Sequence, residues 1–235
     1  MRQSAIAFTS RKGLLGGSLT LEGVISTPVT GGSPSPALLV CHPHPLFGGS
    51  MENAVVTALC RAADGLGMAT LRFNFRGVGG SQGSFSKGRG EARDLGAALS
   101  VLRRWPGVDP SRVAVAGYSF GAGVLLRNPP PRRRAAALVL VAPPVSAVRE
   151  SPLRRDGRPR LFVTGEADRV SPPLDLQRAL DAMAPPVRFV QVPGADHSLR
   201  GHEAEVGRHV AQFLVEALGL EPAPEDTQTD MREET

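Results

Sequence analysis

Short runs of apolar residues recur along the chain, each followed by a glycine, histidine or acidic loop and then by a stretch with helical spacing. Ala37–Cys41 contains no polar residue, as a strand buried on both faces requires. Met68–Phe73, Val113–Gly117, Ala136–Ala142, Arg160–Thr164 and Val187–Val192 read as further strands. Between them, Asn53–Leu66, Glu91–Trp105, a segment from about Phe120, Pro173–Ala184 and Glu203–Leu218 carry apolar residues at helical intervals. Gly65 and Gly67 close the first of these helices, and Pro106 stops the second. Ahead of the alternation, Ser4–Thr9 and Leu19–Ser26 read as two early strands of a hairpin around Arg11–Gly17. Thr27–Pro36 and Arg76–Gly90 are rich in turn residues and read as loops. Strands alternating with helices predict βαβ units with right-handed crossovers. The expected fold is α/β, a doubly wound, mostly parallel sheet with helices on both faces.

Composition narrows the picture. The 235 residues suit one domain, with no repeat or linker dividing them. A hydrophobic content of 41% and a charged content of 21% allow a sizeable core and exclude collagen-like, coiled-coil and wholly disordered chains. The longest apolar run, Ala135–Ala142, is eight residues, where a membrane-spanning helix needs about 20. The first residues, Met1–Lys12, return to charge before a signal-peptide core forms, so a cytoplasmic protein is expected. Cys41 and Cys60 form neither a disulfide framework nor a Cys-x-x-Cys pair and are expected as free buried thiols.

The net charge of +5 combines −5 on Glu221–Thr235, which holds six acids and one arginine, with +10 on residues 1–220. That acidic tail has Pro222 and Pro224 and no apolar periodicity, so disorder is expected there and a single domain over residues 1–220. The positive charge is almost all arginine and is scattered, apart from Arg132–Arg134 and the group Arg149, Arg154, Arg155, Arg158 and Arg160. Without interleaved aromatic residues this argues against a nucleic-acid surface.

Ligands of such sheets bind beyond the carboxyl ends of the strands, and the informative residues lie there. Val113–Gly117 runs directly into Gly117-Tyr118-Ser119-Phe120-Gly121, a G-x-S-x-G on a strand–turn–helix. The turn would lift the Ser119 hydroxyl above the sheet, and the Phe120 N–H at the start of the helix could donate to an oxyanion. A serine hydroxyl needs a base to take its proton, and that base needs an acid to orient it. His197 follows Val187–Val192 and supplies the imidazole. Asp168 follows Arg160–Thr164 and is the preferred acid, with Glu166 and Asp196 as rivals. The order Ser, Asp, His along the chain fits this arrangement. Arg76–Ser81 is no dinucleotide loop, because Gln82 stands where the last glycine of G-x-G-x-x-G belongs. No cofactor is expected. His42-x-His44 raises a metal pair, but no third ligand lies near it in sequence, so no metal site is expected.

Over nearly all of residues 1–220 the chain resembles the α/β-hydrolase superfamily. More narrowly, it is similar to small capless bacterial hydrolases of the dienelactone-hydrolase-like kind with a His-Pro-His-Pro motif. The stretches that carry this resemblance are Cys41–Met51, Leu71–Ser81, Gly117–Gly121 and Ala195–His197. The resemblance implies a serine esterase or related acyl hydrolase acting on a small-molecule ester. Peptidase or thioesterase activity by the same mechanism, and a non-catalytic binding protein on the same scaffold, are the alternatives. The loop after Ala37–Cys41 should give a second oxyanion donor. Pro43 and Pro45 have no N–H, which leaves His44 or Leu46, and analogy with relatives favours His44. The chain departs from the pattern at Asn128–Pro131, which cuts the helix after Ser119 early. Lids of this fold usually enter after the strand read at Ala136–Ala142. Pro143–Pro159 has only 17 residues there, too few for a cap domain, so an open site for small esters is expected. Arg149, Arg154, Arg155 and Arg158 would either rim that site or belong to a solvated loop.

Overall fold

The structure, a computed structural model, describes residues 1–13, 16–29, 33–130 and 133–220. The acidic tail, and with it the expectation of disorder, lies outside these residues. Strands β1 (Arg2–Arg11) and β2 (Ser18–Thr27) pair antiparallel along their full length, from Arg2↔Thr27 to Arg11↔Ser18. This is the expected hairpin, longer at both ends. β3 (Ser35–Cys41), β4 (Ala69–Phe73), β5 (Val108–Tyr118), β6 (Ala137–Val141), β7 (Arg160–Gly165) and β8 (Val187–Val192) follow. The sheet order is β1-β2-β4-β3-β5-β6-β7-β8, antiparallel up to β4 and parallel from there on.

The helices are α1 (Ala54–Gly65), α2 (Glu91–Arg103), α3 (Phe120–Arg127), α4 (Val145–Arg149), α5 (Pro173–Leu180) and α6 (Glu203–Leu218). Period-two alternation divides the core between the two faces of the sheet. Leu38 and Val40 of β3 pack with Val55, Val56 and Leu59 of α1 and Val210 and Leu214 of α6. Leu39 and Cys41 point the other way, toward Leu95, Leu99 and Leu102 of α2 and Leu125 of α3. The fold is the doubly wound α/β-hydrolase arrangement without a lid domain. Both cysteines are free and buried, as expected.

Three local departures have physical reasons. β5 starts at Val108 rather than Val113, because Val108 pairs with Ser35 ahead of a register shift that absorbs the turn residues Asp109–Ser111. α5 stops at Leu180 rather than Ala184. The Ala184 N–H donates to the Arg154 carbonyl, and Pro185 disfavours helical backbone in the residue before it. α3 does end early, at Arg127, and its open carbonyls are covered: the Asn128 amide donates to Val124 and the Ser151 hydroxyl to Leu126. Within Pro143–Pro159 lie only α4 and a 3₁₀ turn, Pro152–Arg155. Arg158 and Arg160, two members of the arginine group, are buried. Arg158 donates to Asp156 and the Ala135 carbonyl, and Arg160 to the carbonyls of Leu153, Arg158 and Ala184.

The loop after β4 is anchored by a buried ion pair. Arg76 donates to Asp94 of α2 through Nη2 at 2.7 Å and Nε at 2.9 Å, and the Ser10 hydroxyl of β1 donates to the same carboxylate at 2.6 Å. Removing one partner strands the other charge away from water. Asp94→Ala is therefore expected to cost about 3–5 kcal/mol of unfolding free energy, measured by urea denaturation at neutral pH. A loss well under 1 kcal/mol would mean that the Arg76 guanidinium finds water elsewhere.

Candidate active site

The turn between β5 and α3 is made possible by two missing side chains. A Cβ at Gly117 would lie 2.6 Å from the Ala122 nitrogen, and one at Gly121 would lie 2.5 Å from the Cys41 carbonyl oxygen. Strand, helix and the end of β3 thus meet at backbone distance. Ser119 between them has φ 49° and ψ −108°, a strained conformation for a residue with a side chain. Its N–H donates to the Val141 carbonyl at 2.8 Å, which ties the turn to β6.

The sheet brings the three residues expected from the sequence together. Ser119 Oγ lies 3.0 Å from His197 Nε2, and His197 Nδ1 lies 2.8 Å from Asp168 Oδ2. A carboxylate only accepts, so Nδ1 carries the proton and Nε2 is left to accept from the Ser119 hydroxyl. Asp168 is buried and held by four hydrogen bonds: from His197, from the Val170 and Ser171 N–H groups at 2.8 and 2.7 Å, and from the Thr164 hydroxyl at 3.1 Å. Burial opposes its ionisation, but the hydrogen bonds from His197 and the backbone outweigh that and hold its pKa below the usual carboxylate value. Glu166 accepts instead from the Gly194 N–H, and Asp196 from the Ser198 N–H and hydroxyl. Both are exposed, and neither is hydrogen-bonded to the His197 ring.

Tyr118 was not singled out by the sequence. Its hydroxyl donates to the His197 carbonyl at 2.9 Å, fixing the loop that carries the imidazole. Burial, with the charges of Asp168, Asp196 and Glu203, pushes its phenol up to about 12, so it remains a donor. Its position beside Ser119 in the motif was the only available signal, since nothing in sequence links it to His197.

The N–H groups of Phe120 and His44 have no hydrogen-bond partner among the described residues. The Leu46 N–H, the rival of His44, is taken up by His44 Nδ1 at 3.2 Å. A cleft of about 610 Å³ opens beside Ser119, lined by Pro43, His44, Phe47, Tyr118 and His197 among others. None of Arg149, Arg154, Arg155 and Arg158 lines it.

The sequence is 31% identical over 189 residues to an uncharacterized protein of Rickettsia prowazekii, covering 77% of this chain and 79% of that one. The fold matches an α/β serine hydrolase homologue from Coxiella burnetii with a TM-score of 0.73 and 37% identity, over 88% of this chain and 96% of the other. It matches a lidless α/β serine hydrolase from Xanthomonas campestris with a TM-score of 0.78 and 30% identity, over 94% and 99%. The chain belongs to the α/β serine hydrolases. No protein-family model matches it.

The other histidine of the His-Pro-His-Pro stretch has a structural task in this hydrolase. His42 is fully buried, with Nδ1 donating to the Pro43 carbonyl at 2.6 Å and Nε2 accepting from the Phe75 N–H at 3.0 Å. Both nitrogens are engaged, so the ring has no lone pair for a metal. Among the described residues, no group of three or more His, Cys, Asp or Glu side chains is gathered to hold one, and no helix is long and apolar enough to cross a membrane.

Burial pushes His42 down from an ordinary 6.5 to about 4, against a smaller opposing effect of the bond to Pro43. The unfolded chain therefore binds a proton that the folded one refuses. The stability this group contributes is complete above its ordinary value and is lost as pH falls toward the folded one. From about pH 7 to about pH 5, this hydrolase is expected to lose about 2 kcal/mol more than His42→Gln, read by urea unfolding at both pH values. Parallel losses in the two proteins would show that His42 titrates alike folded and unfolded.

Proposed function

We propose that this α/β serine hydrolase cleaves small carboxylic esters by acyl transfer to water through Ser119, His197 and Asp168. The observation that carries the reading is the pair of hydrogen bonds from Ser119 Oγ to His197 Nε2 and from His197 Nδ1 to Asp168, at 3.0 and 2.8 Å. In this reading Ser119 Oγ attacks the ester carbonyl while His197 takes its proton. The buried Asp168 carboxylate then stabilises the imidazolium. The developing oxyanion accepts from the Phe120 and His44 N–H groups, which have no protein partner among the described residues and so break no protein hydrogen bond in turning to it. His197 passes its proton to the leaving alcohol. Water, activated by the same ring, then releases the acid from Ser119. The absence of a lid domain supports small esters, since carbons beyond the cleft remain partly wet and add little binding energy.

Ser119→Ala should leave folding intact and lower ester turnover by on the order of 10⁶. The same variant should lose labelling by a fluorophosphonate probe. Labelling at the wild-type rate would point to another nucleophile and end this reading. Asp168→Asn should lower kcat by about 10⁴, because the amide favours the wrong imidazole tautomer. Glu166→Gln should have little effect. Equal losses at the two positions, read by steady-state kinetics on p-nitrophenyl acetate, would reject Asp168 as the orienting acid.

A further inference from the structure

Phe47 is the most exposed of the large hydrophobic side chains among the described residues, at 86%. Folding does not explain it, since a ring left in water contributes nothing to the core. The loop that carries it is nonetheless closely held. The His44 carbonyl accepts from the N–H groups of Phe47 and Gly49, both at 3.0 Å, while the His44 ring accepts from Leu46. The Phe47 ring rests on the His44 ring at 4.8 Å, and the His44 ring lies 5.0 Å from Phe120, the residue after Ser119. The rings of Phe47, His44 and Phe120 thus stand in contact, and the first two line the cleft beside Ser119, set in place before any ligand arrives. A preformed apolar wall gains affinity because little freedom is lost on binding.

The side of the reaction it serves follows from the proton. His197 Nε2 must deliver its proton to the leaving oxygen, so the leaving alcohol lies on the His197 side of Ser119. The cleft that Phe47 lines is the one lined by His197 and by Asp196, Ser198, Arg200 and Glu203 around it, and within it Phe47, Ala54 and Val55 supply apolar surface. We propose that Phe47 forms the subsite for the leaving alcohol, so that this hydrolase selects esters of apolar alcohols. This rests on the assignment of Ser119 and His197 as nucleophile and base.

The test uses two ester series on the full-length protein. Methyl, ethyl, butyl and hexyl acetates vary only the alcohol and share one acetyl-enzyme, so differences in kcat/KM report acylation. The p-nitrophenyl acetate, butyrate and hexanoate series varies only the acyl group. A fully buried methylene corresponds to about a fourfold gain, and a half-buried one to about twofold. The wild-type kcat/KM is expected to rise about twofold per methylene along the alkyl acetates. Phe47→Ala should flatten that slope, Phe47→Leu should keep part of it, and the acyl slope should be unchanged in both. Survival of the alcohol slope in Phe47→Ala, or collapse of the acyl slope instead, overturns the Phe47 assignment while leaving the esterase reading in place. A wild-type dimer that Phe47→Ala converts to a monomer would assign the ring to self-association and likewise overturn it. No hydrolysis in either series overturns both.

Discussion

Backbone meeting backbone beneath Ser119 is the constraint on which the rest of the molecule depends. With no side chain at Gly117 or Gly121, the end of β5, the start of α3 and the Cys41 carbonyl at the end of β3 come within van der Waals distance. Only that contact lets a serine occupy a left-handed turn, because the surrounding sheet supplies the energy that the turn alone lacks. The strain has a direction. It lifts the hydroxyl out of the sheet plane and leaves the Phe120 N–H at the helix start without a partner among the described residues. Either glycine replaced by alanine would force apart three elements that share one core.

A similar close approach sets Asp168 against His197. A Cβ at Gly165 would lie 2.3 Å from the Ala195 carbonyl oxygen, so the end of β7 and the loop after β8 touch through their backbones. Asp168 and His197, which leave from these two loops, are thereby held at hydrogen-bond distance. Asp168 spends its remaining acceptor capacity on Thr164, Val170 and Ser171, which keeps a buried carboxylate satisfied and fixed in direction. Tyr118 adds a brace from beneath, linking β5 to the His197 backbone. The carboxylate and the imidazole are held in place because each, or the loop that carries it, is already hydrogen-bonded within the protein.

The loop after β3 divides its tasks by residue. His42, buried, joins this loop to the one after β4 through the Phe75 N–H. His44 turns its ring to its own loop and leaves its N–H without a partner among the described residues. Proline at 43 and 45 leaves those two positions without an N–H. A stretch that reads as a metal pair in sequence thus ties two loops together through His42 and carries a His44 N–H with no partner among the described residues.

Much of this was legible in the chain itself. All-apolar runs such as Ala37–Cys41 mark strands covered on both faces, and helical spacing between them requires parallel crossovers. From that alone follow the sheet, its two-sided core and the location of chemistry beyond the strand ends. G-x-S-x-G carries its own steric explanation, so Ser119 could be named from sequence. Three loops with Ser, Asp and His in order narrowed the partners to a few residues. Choosing among them needed distances between segments far apart in the chain. Glu166, Asp168 and Asp196 are chemically alike, and only the parallel pairing of β7 with β8, which sets their following loops side by side, shows which carboxylate faces the ring. The same holds for Leu46, whose N–H is taken up by an imidazole nitrogen of His44, and for Tyr118, whose partner lies 79 residues away. Local pattern determines which backbone a segment adopts, because that is a matter of near-neighbour sterics and burial. Which side chains then meet is set by packing across the whole sheet, and no local pattern encodes it.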